Sequence, residues 1–351
     1  MYKNILITGG AGFIGSNIAV YLKKIHPKAN IIALDNLMRR GSELNIRRLK
    51  SAGVSFLHGD TRCKEDLAIG REIDLIIECS AEPSVLADLA TGPEYVINTN
   101  LIGMVNCLEL ARKNKSDFIF LSTSRVYPYE EIASLKIKEA KTRLVWSNKQ
   151  ARTGYSSRGI YTDFSLTGPR SLYGATKLSC ELLLTEYIKN YGMKGIINRC
   201  GVIAGPWQFG KVDQGVFSLW MKHHCLKRPL SYIGWGGKGK QVRDLLHVDD
   251  LCELLRLQIG NMAKGNGKAY NVGGGEKVSL SLLEATVLCE EITGNSIRIN
   301  SCKENRPFDL PVYITNNQRV GRDYNWAPKR SREKIMEDIY KWLKQIGEDW
   351  V

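Results

Sequence analysis

Tyr173 and Lys177, in the run Tyr173-Gly174-Ala175-Thr176-Lys177, carry the most legible chemistry in this chain. On a helix, residues four apart share one face. A tyrosine titrates near pH ~10 in water and is a poor base at neutrality. A nearby ammonium stabilises the phenolate, and the positive end of a helix acts in the same direction. Such a tyrosine can take the proton of a hydroxyl while hydride leaves the same carbon. The hydride needs an acceptor, and the start of the chain offers a seat for one. Thr8-Gly9-Gly10-Ala11-Gly12-Phe13-Ile14-Gly15 follows directly on the apolar run Ile5-Leu6-Ile7.

Glycines at 9, 12 and 15 suit a tight strand-to-helix turn whose backbone approaches phosphate oxygens at a helix N-terminus, the usual seat of a dinucleotide pyrophosphate. Phe13 and Ile14 open that helix. Asp35 ends the next apolar run, where a carboxylate accepts ribose hydroxyls and repels a 2′-phosphate, which favours NAD over NADP. Arg39 and Arg40 lie close by and weigh the other way. Asp60, after the third run, is placed to bond the adenine amino group. Asn36, Thr61, Ser80 and Asn100 complete the expected cofactor contacts.

Parallel strands and crossover helices must position these residues. Short apolar runs alternate with amphipathic stretches through the first half, predicting strands over 4–8, 31–35, 54–58, 75–79, 118–122 and 195–200. Helices are predicted over 14–25, 42–51, 98–114 and 174–191. The expected fold class is α/β, a doubly wound parallel sheet of the dinucleotide-binding type with a smaller C-terminal α/β substrate lobe. After Cys200 the glycine-rich texture changes, so the cofactor domain is expected over about 1–203 plus 241–262, and the substrate lobe over about 204–240 plus 263–351. The polar stretch 136–169 is a candidate active-site loop.

Composition removes other classes. The chain has 351 residues, 43% hydrophobic and 25% charged. No apolar run approaches membrane-spanning length, and the first strand begins so early that no signal peptide is expected, which points to the cytoplasm. The 9 cysteines stand singly, without metal-ligand or disulfide spacing, so no metal is expected. The net charge of +14 suits steering of an anionic small molecule, and no aromatic-interleaved RNA-binding motif accompanies it, so no nucleic-acid partner is expected.

Ser122-Thr123-Ser124-Arg125-Val126-Tyr127, at the end of the strand before the Tyr173 helix, resembles the extended short-chain dehydrogenase/reductase family of sugar-nucleotide epimerases and dehydratases. The resemblance covers nearly the whole chain. It implies Thr123 as the catalytic hydroxyl beside Tyr173 and Lys177, with Ser124 as the fallback and as a substrate contact. The 4,6-dehydratases carry Asp-Glu directly after that threonine for eliminating water; Ser124 and Arg125 stand there in this chain and cannot do that job. Arg199 ends the sixth strand, where the family reads its substrate. Arg243-Asp244-Leu245-Leu246-His247-Val248-Asp249-Asp250 is similar to the family's Arg-Asp-x-x-His-Val-x-Asp signature, which implies Arg243 as a pyrophosphate ligand, with Arg306 as the second; a planar guanidinium suits phosphate bidentately.

Trp207-Gln208-Phe209-Gly210-Lys211-Val212-Asp213-Gln214-Gly215 resembles a segment of the CDP-paratose (CDP-tyvelose) 2-epimerase branch. That implies Gln208 and Phe209 as pocket wall, and epimerisation at C2 through a transient keto sugar. The chain departs from the family at Gly168-Pro169-Arg170-Ser171-Leu172, and at Glu78-Cys79-Ser80-Ala81, where His-Leu-Ala-Gly is usual. These departures leave room for another nucleotide sugar, such as a UDP-hexose epimerised at C4. A non-catalytic NAD- and RNA-binding relative is the remote alternative. The family's habit of pairing through two cofactor-domain helices implies a homodimer built on 98–114 and 174–191.

Overall fold

Short apolar runs make the central strands of a seven-stranded sheet, whose interior positions are buried on both faces as a parallel sheet covered by helices requires, while the edge strand Ser55–His58 is only partly covered. The computed structural model describes residues 2–147, 152–211 and 214–347. Across the sheet the order is Lys268–Val272, Gly195–Cys200, Asp117–Thr123, Leu75–Glu78, Asn4–Thr8, Asn30–Asp35 and Ser55–His58. The pairings from Asp117–Thr123 outward to Ser55–His58 are parallel. The order reverses between Asn4–Thr8 and Leu75–Glu78, the switch point at which doubly wound sheets bind ligands.

Helices Phe13–Ile25, Leu44–Ser51, Gly103–Asn114 and Leu172–Tyr191 agree with the sequence reading to within two residues, except over the first turn of the third. There Asn98–Ile102 forms a π-helical turn ahead of Gly103–Asn114. The seventh strand, Lys268–Val272, was not expected; it extends the sheet beside Gly195–Cys200, with Gly267 N donating to Gly195 O at 2.9 Å.

The chain divides into two compact units, and the boundaries differ from expectation. The first comprises 1–126, 172–199 and 251–270; the second comprises 127–171, 200–250 and 271–351. Residues 241–250 join the second unit because the strand Val242–His247 pairs there with Val202–Ala204, Ser279–Ser281 and Val312–Tyr313. The stretch expected as a loop over 136–169 contains two small hairpins, Ile137–Glu139 with Leu144–Trp146 and Tyr155–Ser156 with Gly159–Ile160. Trp146, Tyr155, Ile160 and Phe164 are buried, and Leu144 N donates to Lys240 O at 2.8 Å. Its aromatic residues pack edge-on, Trp146 against Tyr155 and Phe164 against Tyr127. In the second unit, helices Val216–Cys225, Leu282–Thr293 and Arg332–Ile346 close over a cluster that includes Phe217, Trp220, Leu245, Cys289, Ile339 and Trp342.

Behind the Tyr173 helix the first unit holds a buried ion pair. Glu181 receives Arg199 NH2 at 2.7 Å and Nε at 3.0 Å, and Ser122 Oγ donates to Glu181 at 2.5 Å. Removing one member of a buried pair strands the other. Glu181→Gln is therefore expected to cost about 3–5 kcal/mol of stability, read as a lower denaturant midpoint for the first unit's unfolding; an unchanged midpoint would contradict this.

Candidate active site

The glycine turn forms in the first unit where the two central strands end. Gly9 adopts φ 61°, and a Cβ there would lie 2.9 Å from Cys79 O. A Cβ on Gly15 would lie 2.2 Å from Gly9 O, so the helix Phe13–Ile25 approaches the turn too closely for any side chain. Its N-cap is Gly12, with no side-chain cap and no acidic residue in the first turn, which leaves the helix's positive end unopposed by its own side chains. Asp35 is buried and accepts Ala11 N at 3.0 Å and Leu37 N at 2.8 Å. Burial lifts its carboxyl above the ordinary range, against these amides. Burial also opposes the charge of Asp60, yet the Arg62 guanidinium at 2.6 Å and Asn36 Nδ2 at 2.9 Å hold its pKa at about 2. Thr61 is buried, and its carbonyl accepts Asn106 Nδ2 at 2.9 Å. Glycine cradle, bare helix end and Asp35 together fit a dinucleotide.

Tyr173 and Lys177 lie on the buried face of Leu172–Tyr191, together with Gly174, Thr176, Cys180, Glu181 and Leu184. Lys177 Nζ donates to Leu121 O at 3.0 Å, stands 3.4 Å from Glu78 Oε2, and sits 4.5 Å from the centre of the Phe120 ring. Burial works against its charge; Glu78, helped by Tyr173 and the thiols of Cys180 and Cys79, outweighs this and holds its pKa above the ordinary lysine value. Thr123, two residues past Leu121, is buried, and its Oγ1 accepts Arg125 N at 3.2 Å. Ser124 opens the short 3₁₀ turn Ser124–Val126. The strand end carrying Thr123 is thus bonded directly to the lysine of the Tyr173 helix.

Several of the residues expected as contacts also brace the site. Asn100, buried in the π-helical turn, donates to Thr176 Oγ1 at 3.1 Å and to Glu82 O at 3.2 Å, and accepts Glu82 N at 2.8 Å. Ser80 Oγ donates to Glu78 Oε1 at 2.6 Å and lies 3.2 Å from Thr8 Oγ1. Arg199, expected as a substrate contact, is buried with its guanidinium paired to Glu181. Of the expected pocket-wall residues, the Gln208 amide donates to Ile203 O at 3.0 Å and accepts Ser218 Oγ at 2.8 Å, while Phe209 packs edge-on against Trp342. Val212 and Asp213 of that stretch lie outside the described residues.

In the second unit Arg243 NH2 donates to Asp309 Oδ1 at 2.8 Å and NH1 to Val242 O at 2.8 Å. Asp309 N in turn donates to Arg306 O at 3.3 Å, so one loop brings both predicted phosphate ligands together. Asp309 was missed, since a lone aspartate in a polar loop gives no sequence signal. Glu78 was noticed only as a departure; its signal was a carboxylate at the end of the apolar run Leu75-Ile76-Ile77.

Residues 5–273 match the NAD dependent epimerase/dehydratase family. The chain belongs to that family. It is accordingly an NAD-dependent enzyme of the epimerase/dehydratase type. CDP-paratose 2-epimerase of Salmonella typhi is 30% identical over 97% of this chain and 99% of its own length. The dTDP-glucose 4,6-dehydratase of Salmonella typhimurium is 26% identical over 96% of this chain and 92% of its own. Among solved structures, UDP-glucose 4-epimerase of Thermus thermophilus, in complex with NAD, is 26% identical with a TM-score of 0.75, covering 97% of this chain and 98% of that one.

Among the described residues no helix is long and apolar enough to cross a membrane, and no cluster of His, Cys, Asp and Glu has the makings of a metal site. Gly15→Ala forces its Cβ into Gly9 O, so the purified variant is expected to lose its bound nucleotide, measured by extraction and chromatography; retention equal to wild type would refute the cradle.

Proposed function

We propose that this enzyme epimerises a nucleotide-linked deoxysugar, CDP-paratose to CDP-tyvelose at C2. The observation that carries the reading is the Lys177 bond to Leu121 O, which ties the helix of Tyr173 and Lys177 to the strand end carrying the Thr123 hydroxyl, with no acid and base for dehydration at 124 and 125. Full-length similarity to a CDP-paratose 2-epimerase supports the choice of substrate.

Gly9, Gly12, Phe13, Ile14, Gly15, Asp35, Asn36, Asp60 and Thr61 would hold NAD, which when bound would supply a reversible hydride acceptor for the sugar carbon. The Tyr173 phenolate takes the proton of the adjoining hydroxyl, and Lys177 stabilises the phenolate through its charge. The Thr123 hydroxyl orients the same oxygen. In the return step Tyr173 gives the proton back to the turned keto sugar. Arg243 and Arg306 anchor the pyrophosphate throughout, so the sugar turns without leaving; Ser124 contacts it.

The direct test is proton NMR of CDP-paratose with purified enzyme and no added cofactor. CDP-tyvelose is expected to accumulate, and Tyr173→Phe is expected to slow this by about 10²–10⁴-fold. If the protein holds NAD and the spectrum does not change, the substrate assignment falls. A UDP-hexose would then be tried, on the strength of the Thermus relative.

The second face of the Tyr173 helix supports a homodimer. Leu182 is 63% exposed, and Leu89, Ile97, Ile102 and Tyr191 are also exposed in the first unit. Apolar side chains clustered on surface helices mark an association face. Leu182→Arg is expected to convert a dimer to a monomer in sedimentation; a dimer that survives the substitution argues for another interface.

A further inference from the structure

The mechanism above leaves Glu78 unused, although its side chain is only 3% exposed and it ends a central strand beside the glycine turn. Its two oxygens divide their work. Oε2 faces Lys177 Nζ at 3.4 Å, and Oε1 accepts Ser80 Oγ at 2.6 Å. Ser80 Oγ rests against Thr8 Oγ1, which also accepts Cys79 N at 3.3 Å, so the carboxylate is held from its own strand and from Asn4–Thr8.

The ionisable groups around Lys177 single out this carboxylate. The strand Leu75–Glu78 and the residue after it bring Glu78 and Cys79. The Tyr173 helix brings Tyr173, Cys180 and Glu181, and the helix Gly103–Asn114 brings Cys107. Burial pushes the Cys180 thiol up to about 12 and the Cys107 thiol well above its usual value, so both are neutral. Glu181 is already matched by Arg199. Leu121 O and the Phe120 ring offer dipoles and a π face, not a full charge. Among the described residues, Glu78 is the anion ion-paired with Lys177.

We propose that Glu78 is a positioning residue that keeps the buried Lys177 protonated and aimed at Leu121 O, and thereby sets the pH at which Tyr173 becomes a base. The proposal rests on Tyr173 being that base. A fully buried ammonium without a counter-charge sheds its proton well below the usual lysine range. With Glu78 neutralised, Lys177 becomes an amine, the phenolate loses its stabilising charge, and Tyr173 returns toward the titration of free tyrosine. The sign is therefore upward.

The test is an ultraviolet tyrosinate titration of the NAD-loaded protein, with the Tyr173→Phe spectrum subtracted, run beside the pH profile of kcat. In Glu78→Gln the Tyr173 midpoint and the acidic limb of kcat are expected to rise together by about one pH unit or more, with KM unchanged, since both Glu78 oxygens are engaged by Lys177 and Ser80. Glu78→Met, which fills similar space without charge, is expected to give the same shift. Glu78→Asp, which keeps the charge, is expected to stay near wild type. A Tyr173 midpoint that stays put or falls in both neutral variants overturns the role of Glu78 and leaves Tyr173 as the base. A low-pH titration that persists in Tyr173→Phe withdraws Tyr173 itself, and the proposal with it.

Discussion

A buried ammonium is among the costliest groups a protein can place in its interior, and this fold is organised around one. Lys177 is out of water, and its charge persists because a backbone carbonyl, a carboxylate and an aromatic face all reach it. Those partners come from two adjacent strands, Leu75–Glu78 and Asp117–Thr123. The bond to Leu121 O locks the Tyr173 helix in rotation and register against the sheet. Tyr173 is placed because Lys177 is.

The bracing around this contact follows the same logic. Asn100 ties the chain after Leu75–Glu78 to Thr176, one residue before the lysine. The π-helical turn that carries Asn100 is a local distortion of the kind that often marks a working site. One turn beyond Lys177, Glu181 repeats the motif with Arg199 and Ser122. Two opposed buried charges on one helix are each matched by a strand, which fixes the helix at two points along its length. In the second unit Arg243 is likewise aimed by Asp309, which fixes the direction of its planar fork.

The parts of the molecule that rest on local pattern were readable in the sequence. Six of the seven sheet strands, the glycine turn and the Tyr173–Lys177 spacing follow from periodicity and from residue types with few alternative uses. What escaped depends on pairing across distance. Lys268–Val272 is a short run between glycine-rich turns, and it becomes a strand only because Gly195–Cys200 offers an edge. Arg199 and Gln208 matched a motif, but no spacing rule connects them to their partners Glu181 and Ser218. The hairpins within 136–169 were hidden by a polar composition that masks a few buried aromatics. Glu78 was visible as an oddity, yet its meaning required the lysine 3.4 Å away.

The interleaving of the two units bears on how the chain must be made. Each is assembled from three separated stretches, and the cofactor-binding unit takes its last from 251–270. During synthesis the glycine turn, the Thr123 strand end and the Tyr173 helix all emerge well before the sheet edge at Lys268–Val272 exists to cover Gly195–Cys200. Until Tyr270 has left the ribosome, that apolar strand is an open edge, the kind of surface that recruits chaperones or other nascent chains. No single cut in the chain separates the two units, so the gene cannot be divided at one point into two independently folding halves.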